Sequence, residues 1–166
     1  MKLFDRIKNL DITTRGLVIQ GMIAALYVAL TFGLYNLSYG PLQFRVSEFL
    51  LILVLVNPKN AVGIIAGTFI ANLIGAYGVL DMVVGTLATT LVCLLMILKQ
   101  PRLLSYVWPT IINAIVIGLM LAYLEQIPFW IVALQVGAGE FVVTTLPFVL
   151  FGKKLLDNRN VSQIFS

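Results

Sequence analysis

Between residues 16 and 151 the chain is a succession of apolar stretches, broken only by short turns rich in glycine and proline. An α-helix needs roughly 20 apolar residues to cross the hydrocarbon of a bilayer. In lipid each backbone amide must be satisfied within its own segment, so stretches of this kind span as helices. Sixty per cent of the residues are apolar and 11% are charged, with a mean hydropathy of +1.02. So few charges cannot cover the surface of a water-soluble domain of 166 residues. The reading is therefore an all-α membrane protein: a bundle of six transmembrane helices in a single domain. The spans fall at about 16–35, 46–57, 60–75, 81–98, 104–124 and 128–151. Tyr39-Gly40-Pro41, Asn57-Pro58, Tyr77-Gly78, Gln100-Pro101 and Gln126-Ile127-Pro128 punctuate them. The second and third are short for a hydrocarbon layer of ~30 Å, so neighbouring helices must shield their ends.

Charge gives this bundle a direction. Leu3, Phe4, Ile7 and Leu10 share a face within the charged stretch 2–12, which reads as a short N-terminal helix on the membrane surface. A secretory leader is the rival reading, and the long charged stretch without a clear cleavage site argues against it. With the N-terminus cytoplasmic, the inner segments hold Lys2, Arg6, Lys8, Arg15, Lys59, Lys99, Arg102, Lys153, Lys154 and Arg159, and the outer side holds Arg45 alone. That asymmetry fixes orientation, and an even number of spans makes the C-terminus cytoplasmic too. Topology thus accounts for the basic pI of 9.4, and no nucleic-acid partner is expected. The chain has no histidine and one cysteine, Cys93, so it offers no histidine metal site and no internal disulfide.

The acidic residues gather on the other side. Glu48, Asp81, Glu125 and Glu140 fall in the outer half or at its rim, together with the amides Gln43, Asn72 and Gln135. Charge at membrane depth is costly and faces an interior or a cavity. Glu140 is about twelve residues into its span, near mid-depth, on a small polar face with Ala133, Gly137 and Thr144. Arg45 and Glu48, three apart, either pair with each other or face a ligand. Tyr35, Tyr39, Phe44 and Tyr77 make either an interfacial belt or a stacking surface for a flat ring. Such an acidic hollow favours a ligand rich in N–H donors or carrying positive charge. Small residues also recur every four positions, as Gly21, Ala25, Ala29 and Gly33 in the first span and as Gly63, Gly67, Ala71 and Gly75 in the third. This spacing lets helices approach closely, either inside the bundle or against another membrane protein.

The run Gln43-Phe44-Arg45-Val46-Ser47-Glu48, then Asn57-Pro58, Ile70-Ala71-Asn72-Leu73, and Asp81 with Gly85-Thr86-Leu87-Ala88-Thr89, resembles the QueT family of queuosine-precursor transporters. The resemblance implies a six-helix substrate-binding S component of an energy-coupling factor transporter in a bacterial cell membrane. Its implied partners are a transmembrane coupling protein and two cytoplasmic ATPases. Ala25 and Ala29, with Gly21, match the docking signature expected in the first helix. The chain lacks the G-x-x-x-x-G-K-[ST] phosphate loop, in keeping with an external motor. No cofactor is implied, and the chain is expected not to be an enzyme. The implied substrate is a 7-deazaguanine such as 7-aminomethyl-7-deazaguanine. Its guanine edge suits one carboxylate and its aminomethyl cation another. Glu140 is expected in one role and Glu48 or Asp81 in the other. Asn72, Gln43, Arg45 and Gln135 supplement them, and Phe44 or Tyr77 stacks. The rival readings are an S component for another vitamin, an autonomous transporter and an intramembrane enzyme. The second requires a polar inner path, for which Gln20, Asn113 and Thr144–Thr145 are the main groups; the third lacks a histidine or a recognisable nucleophile.

Overall fold

The computed structural model describes residues 13–98 and 102–165, and these are helical almost throughout. The surface helix expected over 2–12, Lys99 and the Gln100-Pro101 turn lie outside the described residues.

Helix α1 (Thr14–Gly33) begins where the Thr13 hydroxyl accepts a hydrogen bond from the Gly16 amide, at 3.1 Å. A short α2 (Tyr35–Ser38) leads into an irregular loop over residues 39–45. Helix α3 (Val46–Val56) is 3₁₀ up to Leu51 and α-helical from Ile52. Asn57 then caps the next turn, accepting from the Lys59 amide at 3.0 Å, with Pro58 in the first position, where no amide hydrogen is needed. Helix α4 (Ala61–Leu73) follows, and Gly78, at φ 59°, makes the turn into α5 (Val79–Ile97). Helix α6 (Arg102–Glu125) contains Pro109. Helix α7 (Phe129–Leu156) contains a π turn at Phe141–Thr145, just before Pro147, and α8 (Arg159–Phe165) ends the described chain. Pro147 cannot donate an amide hydrogen and crowds the preceding turn, which accounts for the local widening.

Among the described residues four helices, α1, α5, α6 and α7, are long and apolar enough to cross a membrane. This corrects the expectation of six spans. The stretches at 46–57 and 60–75 form helices of 11 and 13 residues, which at 1.5–2.0 Å rise per residue reach only about 20 Å. Beyond Ser47 and Glu48 helix α3 is apolar on every side, because protein surrounds it. It packs against α1, α4, α5 and the π turn of α7, and Leu50, Leu51, Ile52, Leu53 and Val54 are all buried.

The principal packing runs α1 on α4, α4 on α5, α5 on α6 and α6 on α7. Gly63 and Gly67 permit the close approach of α4 to α1: a Cβ at Gly67 would stand 2.8 Å from the Tyr27 Cβ and 3.0 Å from the Ala24 carbonyl oxygen. The two ends of the described chain meet at one end of the bundle. There Arg15 donates to the Gln163 carbonyl at 2.6 Å, and Asn60 donates to the carbonyls of Leu53 and Phe165, both at 3.0 Å. Lys59 and the Lys153-Lys154 pair lie toward this basic end, and the 39–45 loop lies at the opposite one.

Candidate functional site

At the end away from the basic residues, α3, α5, α6, α7 and the 39–45 loop enclose a polar hollow. Gln43, Arg45, Glu48, Gly85, Thr89, Asn113, Ile117, Val136 and Glu140 line it. Its free space is about 10 Å³, room for one water-sized sphere. The loop closes the hollow tightly. Gln43 adopts φ 51°, a left-handed conformation uncommon outside glycine. The Leu42 carbonyl oxygen lies against Gly139, where a Cβ would collide with it.

Glu48 and Glu140 are built alike. The Tyr27 hydroxyl, fully buried on α1, donates to Glu48 Oε1. Asn113 Nδ2 of α6 donates to Glu140 Oε1 at 2.9 Å. In both residues the second oxygen, Oε2, is buried without a hydrogen-bond partner. Each carboxyl is thus held in place by a neutral donor and keeps an unmatched acceptor. Buried acceptors left in that condition are costly.

Arg45 makes its direct contacts with groups other than Glu48. Its Nη1 donates to Asn72 Oδ1 at 3.0 Å, its Nη2 lies 3.9 Å from Asp81 Oδ2, and its guanidinium stacks over the Tyr39 ring at 5.3 Å. The Tyr39 hydroxyl donates in turn to the Ala71 carbonyl at 2.9 Å. Asn72 and Asp81 therefore hold Arg45 from behind and are not among the lining residues. This excludes the simple Arg45–Glu48 pair as the fate of both groups.

The remaining expected site residues lie elsewhere. Phe44 is half-buried, and neither it nor Gln135 lines the hollow. Tyr77 belongs to the rim, where its hydroxyl donates to Glu125. Burial, followed by the Glu125 carboxylate, pushes the Tyr77 phenol up to about 12, so it stays a donor. Gly21, Ala25 and Ala29 are exposed along the outer face of α1. Sequence reasoning missed Tyr27, which reads as one more apolar residue of its span, and placed Asn113 in the other half of the membrane. Thr89 appeared only as part of the resemblance. The one available signal was an amide, Asn113, in the middle of an apolar helix.

Long apolar helices around an enclosed acidic hollow define a polytopic membrane protein with a buried polar site. The chain belongs to the QueT transporter family, whose pattern it matches over residues 17–154. It is 32% identical to the queuosine precursor transporter QueT of Lactococcus lactis subsp. cremoris, over 77% of this chain and 85% of that protein. No solved structure matches the chain. Family membership makes it a membrane transport protein and not an enzyme, in the setting of energy-coupling factor transport.

Proposed function

We propose that the chain is the substrate-binding S component of an energy-coupling factor importer and captures a queuosine precursor such as 7-aminomethyl-7-deazaguanine. The observation that carries this reading is the pair of unmatched oxygens, Glu48 Oε2 and Glu140 Oε2, on two walls of one hollow. A donor-rich, cationic purine analogue supplies hydrogen bonds to both. A simple anion supplies none and meets like charge. The name of the Lactococcus relative supports the same substrate class. The hollow is too small for a purine as it stands, so binding requires the 39–45 loop to move outward and lift the Leu42 carbonyl off Gly139.

The exposed stripe of Gly21, Ala25 and Ala29 supplies the surface for a membrane coupling protein, with ATP hydrolysis in two further subunits. Small residues allow close backbone contact there.

Calorimetry on the purified chain tests the site. The parent binds 7-aminomethyl-7-deazaguanine, and Glu48→Gln and Glu140→Gln each weaken binding by about 10- to 100-fold, the loss of one charge-assisted hydrogen bond. If the double variant binds as tightly as the parent, the two carboxyls are not the site.

A further inference from the structure

Resting on the function just proposed, we infer that the two carboxyls have different tasks: Asn113 and Glu140 read the donor edge of the ring, and Glu48 takes the ammonium. The hydrogen bond from Asn113 Nδ2 to Glu140 Oε1, at 2.9 Å, fixes the amide's orientation. That bond uses one of the two Nδ2 hydrogens and leaves the acceptor Oδ1 without a side-chain bond to Glu140, and Asn113 itself lines the hollow. Beside it stands Glu140 Oε2, an acceptor without a partner. Two neighbouring acceptors on adjacent helices match two neighbouring donors on a flat ring, a ring N–H and an exocyclic amine. The same pair rejects a ring that places an acceptor or a C–H there, because a buried oxygen is then left unmatched.

Glu48 offers something different. It reaches the hollow from α3, and its Oε1 is occupied by Tyr27, whose hydroxyl is fully buried and has no further surface to give a ligand. What remains is a single unpartnered acceptor, Oε2. A single free carboxylate oxygen suits an ammonium, a compact charge with freely rotating donors, and has no means of reading a two-point ring edge. Arg45 and Gln43, on the loop side of the hollow, are the donors available to a ring carbonyl.

The test uses the purified full chain and three ligands: 7-aminomethyl-7-deazaguanine, the same compound without its exocyclic amine, and 7-deazaguanine without the aminomethyl group. The parent is expected to bind each analogue at least about tenfold more weakly than the complete ligand. Asn113→Leu should bring the preference for the exocyclic amine below about threefold while keeping the preference for the aminomethyl group. Glu48→Gln should do the reverse. Asn113→Ser provides the same comparison if the leucine variant does not fold. A purely structural Asn113 would weaken all three ligands in proportion, and unchanged ratios would overturn the assignment, as would the swapped pattern. If the parent binds none of the three, the functional reading itself falls and takes this assignment with it. If the parent binds and only the ratios fail to move, the function stands and the assignment alone is lost.

Discussion

Helices α1 and α4 carry the same spacing of small residues and use it in opposite ways. On α4 the stripe is packed. A Cβ at Gly63 would stand 2.7 Å from the Gln20 carbonyl oxygen, one at Gly67 2.8 Å from the Tyr27 Cβ, and one at Gly75, just past the end of α4, 2.8 Å from the Tyr39 ring; Ala71 is fully buried. Most of these neighbours belong to α1, which turns Gln20, Ile23, Ala24 and Tyr27 toward α4. On α1 itself the stripe of Gly21, Ala25, Ala29 and Gly33 lies on another face and is exposed, and nothing stands within 4 Å of a Cβ built at Gly21 or Gly33. Leu17, Val18, Met22 and Leu26 flank it, also exposed. Spacing by four makes a smooth groove in both helices. In one the groove is filled from within the chain. In the other its counterpart must come from outside, from lipid or from the coupling protein proposed above.

Filling the packed groove should have the largest effect. Gly67→Leu drives a branched side chain into the backbone of α1 beside Tyr27, the residue that holds Glu48. Overpacking of this kind costs about 3 kcal/mol or more. The expected outcome is aggregated protein, or a much lower melting temperature in detergent together with loss of ligand binding. A well-folded Gly67→Leu variant that binds normally would show that α1 and α4 are not in close contact. Filling the open groove should separate two functions. Ala25→Leu with Ala29→Leu leaves the isolated chain's melting temperature and calorimetric affinity unchanged and abolishes ATP-driven uptake by the assembled transporter in liposomes. Normal uptake by that double variant would leave the outer face of α1 to lipid.

The contrast between the two stripes was not readable from spacing alone, because spacing defines a groove and not its occupant. The site shows the same limit. The convergence of Glu48 and Glu140 was legible, since neither carboxyl could rest in lipid. The supporting cast was not. Asn113 stands twelve residues from the end of α6, and Glu140 eleven from the start of α7, so both lie near mid-depth. Counting residues assigns depth only to within about a turn, and it put them in opposite halves of the membrane. Asp81 and Asn72 were visible as buried polar groups, but which way they face depends on helix rotation. They turn out to hold Arg45 by an ion pair and a hydrogen bond. For Phe44 and Tyr77, in loop and turn, no periodicity fixes a direction at all. The number of spans failed for a related reason. An apolar run records how much water a segment avoids and not whether lipid or protein replaces it, and α3 is enclosed by protein.

The smallest effect is also the most direct comparison, because it makes the same substitution once in each groove. Gly63→Ala adds a methyl group 2.7 Å from the Gln20 carbonyl oxygen. That oxygen belongs to the α1 backbone, and Gln20 is further tied by its side chain, which accepts from the Gly63 amide at 2.9 Å and donates to Asn60 at 3.2 Å. The helices must separate slightly, at a cost of about 1–3 kcal/mol. Gly21→Ala adds the same methyl group to open space. There the only change is in the helix itself, where alanine is favoured over glycine by about 0.5–1 kcal/mol. Thermal melting of the two variants should therefore move in opposite directions from the parent, down for Gly63→Ala and level or slightly up for Gly21→Ala, with ligand binding unchanged in the latter. A fall of equal size in both would mean that the outer face of α1 is already packed in the isolated chain, and the distinction between an inner and an outer groove would not hold.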